Sequence, residues 1–286
     1  MRYEAPNSLD QAVALLVKET GDARVLAGGT DLLVQMRTDV LDPVLVVDIK
    51  GIAETRQIKE EAGGFRIGAA VTGAELKEHA KLKSVWPGIV EAANLIGSTQ
   101  IQGRATMGGN LCNGSPAADS VPALIAAGAK ATIVGPKGRR DVAVEDVMIG
   151  PRKLSLTQGE IIASFLLPAK AARTGEAYLR FIPRTEMDIA VVGAGVCLTL
   201  DASGTCTAAR LSLGAVAARP LLVAPAAAAL IGSKVDAAAL QKLDAAARAA
   251  CQPIDDKRGT KEYRIKVAGV LARRAAEIAL ERARKG

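Results

Sequence analysis

A chain of 286 residues, 49% of them hydrophobic and 23% charged, suffices for one large or two medium soluble domains with buried cores. Its formal charge of +7 comes with only 2% aromatic residues and no dense Lys/Arg tract, which argues against a nucleic-acid binder and leaves solubility or an acidic protein partner as the meaning of the charge. Four scattered cysteines without a C-x-x-C pair, and His79 as the lone histidine, argue against a zinc site, a cysteine-bound iron–sulfur cluster or a multi-histidine metal site on this chain.

Met1 to Pro6 has no apolar stretch of secretory-signal type, and no apolar run reaches the roughly 18 residues of a membrane span, so the expected location is the cytoplasm with the cysteines reduced. Ser8-Leu9-Asp10-Gln11 has capping-box form ahead of an Ala12, Val13, Leu16 stripe, which predicts a helix closed by Gly21. Arg24 to Ala27 reads as a strand that delivers the pair Gly28-Gly29. Thr30 or Asp31 is placed to cap a following helix carrying Leu32, Leu33 and Met36. Val44 to Val47, Phe65 to Ala69 and Ala129 to Val134 read as buried strands. Thr72-Gly73-Ala74-Glu75 is a second capping box, and it puts His79 near the end of a short helix, facing solvent rather than catalysing anything.

A second glycine pair stands in Thr106-Met107-Gly108-Gly109-Asn110, followed by a turn-rich stretch to Pro116 and a helix from Asp119-Ser120-Val121-Pro122 to about Gly128. Each pair alone reads as an ordinary turn. Two of them, with Thr30, Thr106 and Asn110 as extra donors, read as two jaws on a phosphate-bearing cofactor, because glycine lets backbone approach closely and successive N–H groups form a nest for anionic oxygens. Pro168 to Gly175 carries little hydrophobic periodicity and marks the linker. Val191-Val192-Gly193-Ala194-Gly195 imitates a dinucleotide-binding turn, but Leu198 replaces the third glycine and an Asp201-Ala202-Ser203-Gly204 turn follows, which is a β-hairpin pattern. From Pro225 onward the chain is alanine-rich and helical in period, broken at Gly232 and Pro253. A basic last helix runs from about Tyr263 to Arg284, with Val267, Val270, Leu271 and Ile278 on one side and Arg273, Arg274, Arg282 and Arg284 on a solvated cationic face.

Five ordered segments carry a family resemblance: Ala27 to Leu33, Ile96 to Asn110, Ser115 to Asp119, Gly159-Glu160-Ile161-Ile162, and Arg180-Phe181 through Asp188-Ile189-Ala190. Together they resemble the FAD-binding medium subunit of the molybdenum hydroxylases, the carbon monoxide dehydrogenase and xanthine dehydrogenase type, over essentially the whole chain. The resemblance implies an α+β fold with a two-lobed FAD-binding domain of the vanillyl-alcohol-oxidase (PCMH) type over residues 1–170, its lobes about 1–55 and 56–170. A smaller α+β domain of the carbon monoxide dehydrogenase flavoprotein type follows over 176–286.

By the same match, Leu26, Ala27, Gly28, Gly29, Thr30, Asp31 and Leu32, with Thr106, Met107, Gly108, Gly109, Asn110 and Leu111, would line the FAD diphosphate and ribityl chain. Asp119 would reach the ribityl or flavin region, Ile162 would pack near the isoalloxazine, and Ile96, Gly97 and Ile101 would approach the same ring. Arg180 occupies a place where relatives often carry Lys, which keeps charge but not shape. The FAD is expected to be noncovalent, since neither motif holds a histidine and only Cys112 lies beside them.

The implied role is that of an electron-transfer subunit of an oxidoreductase. Molybdenum cofactor and [2Fe-2S] clusters are expected only on partners, a large molybdenum subunit and a small iron–sulfur subunit in a heterotrimer that dimerises, with NAD⁺, a quinone or oxygen as terminal acceptor. No residue is expected to act as acid or base. Two alternatives stand beside this reading: a self-sufficient flavoenzyme, opposed by the scarcity of His and Tyr, and a flavin-free scaffold subunit, opposed by the intact glycine pairs, Asn110 and Asp119. The substrate oxidised by the assembly is not encoded here.

Overall fold

The chain opens with β1 (Arg2–Glu4), α1 (Leu9–Lys18), β2 (Ala23–Leu26), α2 (Leu32–Arg37) and β3 (Leu45–Asp48) in a computed structural model that describes residues 1–286. Ser8 caps α1 by accepting from the Gln11 N–H, and Leu9, Ala12, Val13 and Leu16 are buried at helical spacing against Leu45 and Val47. The helix ends at Lys18 with Glu19 already extended, ahead of the expected stop at Gly21. β3 lies between β1 and β2, parallel to both, and all four of its residues are buried, as a central parallel strand requires.

A 3₁₀ turn at Ala53–Arg56 leads to β4 (Ile58–Glu61) and β5 (Gly64–Gly68), then to six short helices. These are α3 (Gly73–Glu78), α4 (Ala80–Val85), α5 (Pro87–Ala93), α6 (Thr99–Gln102), α7 (Met107–Cys112) and α8 (Val121–Ala126). After them come β6 (Lys130–Gly135), β7 (Gly138–Ala143), the small pair β8 (Met148–Gly150) and β9 (Lys153–Leu154), and β10 (Ile161–Leu167). The second sheet runs β4-β5-β10-β6-β7 and is antiparallel throughout. Its core gathers Phe65, Phe165, Trp86, Leu76 and Leu124. Val134, Ile161 and Ala163 from this sheet pack instead with α1 and β3, so the two lobes share apolar surface behind the cleft between them.

His79 is a correction to the sequence reading. It ends α3 and caps α4, with Nδ1 accepting from the Leu82 N–H at 3.1 Å and the ring edge-on to Phe65 at 6.1 Å, so it is a half-buried structural cap rather than a solvent-facing side chain.

A connection over 168–173 that ends in a turn enters β11 (Thr174–Phe181), which pairs antiparallel with β12 (Val192–Leu200); the hairpin partner β13 (Cys206–Gly214) and β14 (Leu221–Leu222) complete the third sheet. The segment after Val191 is thus a hairpin and not a βαβ turn. Helices α9 (Ala224–Ala228), α10 (Ala237–Ala249) and α11 (Lys261–Lys285) follow. α11 lies on one face of the sheet while α5 and α8 of the preceding domain reach the other. Pro122 of α8 seats against Gly195 and Gly214, where a β-carbon would collide with it. In α11 the buried seam is Ala268, Ala272, Ala275, Ala276, Ala279 and Ala283, with Val267, Val270 and Ile278 only half-buried. Arg273, Arg274 and Arg284 are exposed, but Arg282 leaves the expected cationic face to pair with Glu91 and to donate to the Glu176 carbonyl.

Candidate functional site

The two glycine loops meet across a cleft of about 380 Å³ between the first two lobes. β2 delivers Ala27, Gly28, Gly29, Thr30 and Asp31 to one wall, continued by Leu32 and Gln35 of α2. Thr106 with Gly108, Gly109 and Asn110 at the start of α7 supplies the facing wall, and Ile49, Ala69, Ile96, Ile161 and Ile162 give apolar surface between them. The glycines divide by role. A β-carbon on Gly28 would overlap the Arg104 carbonyl oxygen and one on Gly108 the Ala69 carbonyl oxygen, so both permit main chain to pack on main chain. Gly29 has φ +78°, a left-handed conformation that glycine adopts without cost. At Gly109 a β-carbon would meet only Thr106 Oγ1, at 3.1 Å.

The polar groups suit an anionic guest. The N–H groups of Gly28, Gly29, Thr30 and Asp31 donate to no acceptor in the protein, which is the condition for a backbone nest. Asp31 stands at the N-cap of α2 in αR conformation without a side-chain cap bond, so the capping expected of Thr30 or Asp31 is not made. Thr106 does cap α7, its Oγ1 accepting from Gly109 N–H at 3.0 Å. Asn110 Oδ1 accepts from both the N–H and the hydroxyl of Ser120, at 2.9 and 2.8 Å, which leaves its amide Nδ2 as the free donor. Gln35 Nε2 donates to Asn113 Oδ1 at 2.9 Å and straps α2 to the end of α7, joining the two jaws.

Arg24 and Arg152 also line the cleft and escaped the sequence reading, as did Leu154 and Leu156. Arg24 sits on the strand just before the first loop, and Arg152 stands in the left-handed region at φ +57°, its N–H bonded to Gly114 O. Neither carries a pattern that sets it apart among 37 Lys and Arg residues. Free amides, two cations and a wall of Ile and Leu together fit a cofactor that joins a diphosphate to a flat apolar ring, which is the donor set FAD asks for.

Seven of the expected residues stay out of the cleft lining. Leu26, Met107 and Leu111 are buried behind the loops they belong to. Gly97, at φ +68°, makes a turn packed on the half-buried Ile101. Asp119 and Arg180 are paired with each other, Arg180 Nη1 donating to Asp119 Oδ1 at 3.0 Å and to Leu95 O at 2.8 Å. Burial pushes the Asp119 carboxyl up to about 6, against the pull of Arg180.

Residues 1–170 match the FAD binding domain in molybdopterin dehydrogenase, and residues 177–279 match the CO dehydrogenase flavoprotein C-terminal domain. The chain is 38% identical to the carbon monoxide dehydrogenase medium chain of Afipia carboxidovorans, with 99% of this chain and 97% of the relative covered. It is 33% identical to the xanthine dehydrogenase FAD-binding subunit of Escherichia coli O157:H7, over 92% of this chain and 90% of that one. Among solved structures, a chain of reconstituted CO dehydrogenase from Oligotropha carboxidovorans superposes with a TM-score of 0.94 at 37% identity, covering 99% and 98% of the two chains.

Proposed function

The chain belongs to the FAD-binding medium-subunit family of the molybdenum hydroxylases, and from that membership we propose that it relays electrons from the iron–sulfur clusters of a small partner subunit through FAD to a terminal acceptor, NAD⁺, a quinone or oxygen. The observation that carries this reading is the cleft: two glycine loops face each other across it, with unpartnered amides on one and an open glycine on the other. When bound, FAD supplies the ability to take electrons singly and to release them as a pair.

The residues' own work is to hold and orient. In this proposal the N–H groups of Gly28 to Asp31, the Asn110 amide and the Arg24 and Arg152 cations take the diphosphate and its neighbouring hydroxyls. Gly109 leaves room for the chain of the cofactor to pass, and Ile96, Ile161 and Ile162 give an apolar bed that keeps water from the ring. Leu26, Met107 and Leu111 support the loops from behind, while Gly97 and Ile101 shape the turn that presents Ile96. The cofactor is held without a covalent bond: Cys112 is the only thiol at the cleft, and burial pushes it up to about 12, which keeps it protonated and a poor nucleophile.

Substrate oxidation then falls to a large molybdenum subunit, which with the small iron–sulfur subunit and this chain forms a heterotrimer that dimerises in the cytoplasm. The division of labour within the chain is a two-lobed FAD-binding domain over 1–170 and an α+β domain from 176 onward. The test is to purify the chain with its native partners and record the visible spectrum before and after acid release of the chromophore. Released FAD with iron–sulfur absorbance from a copurifying subunit is the expected result. FAD without any partner would replace this reading by a self-sufficient flavoenzyme, and absence of flavin by a scaffold.

A further inference from the structure

The C-terminal half of the chain grips one short stretch of the FAD-binding domain from three directions. α4 ends at Val85 and α5 starts at Pro87, with Trp86 between them at φ −124° and ψ 61°, outside the helical region, so the joint is a break that neither helix stiffens. Lys170 of the linker donates to the Val85 carbonyl at 2.6 Å and lies over the Trp86 ring at 4.9 Å. Glu176 of β11 accepts from the Gly88 N–H at 2.9 Å, one of the donors that a helix start leaves free. Arg282 of α11 pairs with Glu91 while donating to the Glu176 carbonyl. A β-carbon on Gly88 would overlap Glu176 Oε2, so the carboxyl fills a seat that only glycine leaves open.

We propose that Glu176 is a proton-operated latch on the domain seam: while protonated it stays in the Gly88 seat and keeps the 85–91 segment closed on β11, and once ionised it leaves the seat and lets that segment open. The latch concerns how the two domains hold together and does not rest on the cofactor reading. Hydrogen-bond demand sets its direction. A neutral carboxyl needs few partners, whereas a carboxylate asks for several donors. Glu176 has the Gly88 N–H within hydrogen-bond distance, and the Lys170 ammonium stands 3.9 Å away, already committed to Val85.

Each element packed around the carboxyl enters the balance. Lys170 from the linker and Arg282 from α11 favour the ionised form, and Glu91 from α5 opposes it. Cys197, opposite Glu176 in the register of β12, has its thiol pushed up to about 12 by desolvation in the seam and stays neutral. Burial outweighs the two cations and leaves the carboxyl titrating at about 7, against an ordinary 4.5. An opening that returns the carboxyl to water restores the ordinary value. The opening equilibrium therefore gains about tenfold per pH unit between 4.5 and about 7, and nothing further above that.

The experiment is amide hydrogen exchange of the full-length chain, read by mass spectrometry between pH 5 and 8 for the 85–91 segment and for β10, the central strand of the second sheet. Each rate is divided by that of Glu176→Gln at the same pH, which cancels the intrinsic pH dependence of exchange. For 85–91 the ratio is expected to climb about tenfold per pH unit up to about pH 7 and then level off. The segment should also exchange faster than β10 at every pH, because local opening asks for less than unfolding the sheet. Lys170→Met deletes a cation that favours the carboxylate, so in that variant the climb should continue for about one further pH unit.

A ratio for 85–91 that does not change with pH overturns the latch. So does exchange of 85–91 at the same rate as β10, which would mean that the carboxyl acts on the whole fold and not on the seam. Loss of the climb in Lys170→Met would transfer the titration to the lysine, and that too overturns the assignment to Glu176. If Lys170→Met fails to fold by far-UV circular dichroism, the comparison with Glu176→Gln still decides.

Discussion

Gly28, Gly108 and Gly109 are interchangeable as letters, yet each is glycine for a different neighbour. Gly28→Ala drives a methyl group into the Arg104 carbonyl and forces the first loop off its seat, a main-chain displacement expected to cost about 1–3 kcal/mol or more in a urea titration. Gly109→Val meets no main chain from elsewhere in the fold. That variant is expected to keep the Trp86 emission of the folded chain and to lose flavin absorbance after gel filtration; stoichiometric FAD in it would take the second loop out of the site. The loops were legible because paired glycines beside Thr30, Thr106 and Asn110 are a local pattern. Which glycine faces the guest was not, since Arg104 and Ala69 decide it from other parts of the chain. The pairing of Asp119 with Arg180, 61 residues apart, was hidden for the same reason, and so were Arg24 and Arg152.

The helix–sheet contact in the C-terminal domain is set by how little side chain lies between its elements. Gly175 on β11 leaves no room for a β-carbon against the Ala279 carbonyl, so strand and helix meet backbone to backbone. The last helix forms over Lys261–Lys285, close to the expected Tyr263 to Arg284, but its packing side is the alanine seam from Ala268 to Ala283 rather than Val267, Val270 and Ile278, and that seam depends on the glycine opposite. Ala279 is fully buried. Ala279→Leu must lift α11 from the sheet or strain its rotamer, and is expected to destabilise the chain by about 1–3 kcal/mol, read as a lowered Tm in far-UV circular dichroism. Short elements were the harder reading. The helix expected over Leu32, Leu33 and Met36 forms as α2, but with Leu33 and Val34 more than half exposed it has no buried face, and the cap expected of Thr30 or Asp31 gives way to free amides. His79 was misplaced because its cap bond to Leu82 and its edge contact with Phe65 belong to a bend between two helices, which no single helical period describes.

At the scale of the molecule, the third sheet is held between α11 on one face and α5 and α8 on the other, which buries side chains at the seam between domains. Glu176 is buried in that seam. Its Oε1 accepts from the Gly88 N–H at 2.9 Å, and Lys170 Nζ stands 3.9 Å away, yet burial outweighs both and pushes the carboxyl up to about 7 from an ordinary 4.5. The folded chain thus binds this proton more tightly than the unfolded chain. The contribution of Glu176 to stability is fully present below about pH 4.5 and is lost as pH rises toward 7, leaving a penalty of at most about 3 kcal/mol at pH 8. Glu176→Gln keeps an oxygen for the Gly88 N–H and removes the charge. Lys170 is not stranded by the change, because it still donates to Val85 O at 2.6 Å and lies over the Trp86 ring at 4.9 Å. The variant is therefore expected to exceed the unaltered chain in stability at pH 8 by about 1–3 kcal/mol and to lose most of that advantage by pH 5, in urea titrations at the two pH values. An advantage that persists unchanged at pH 5 would mean that Glu176 is strained by its packing rather than by its charge.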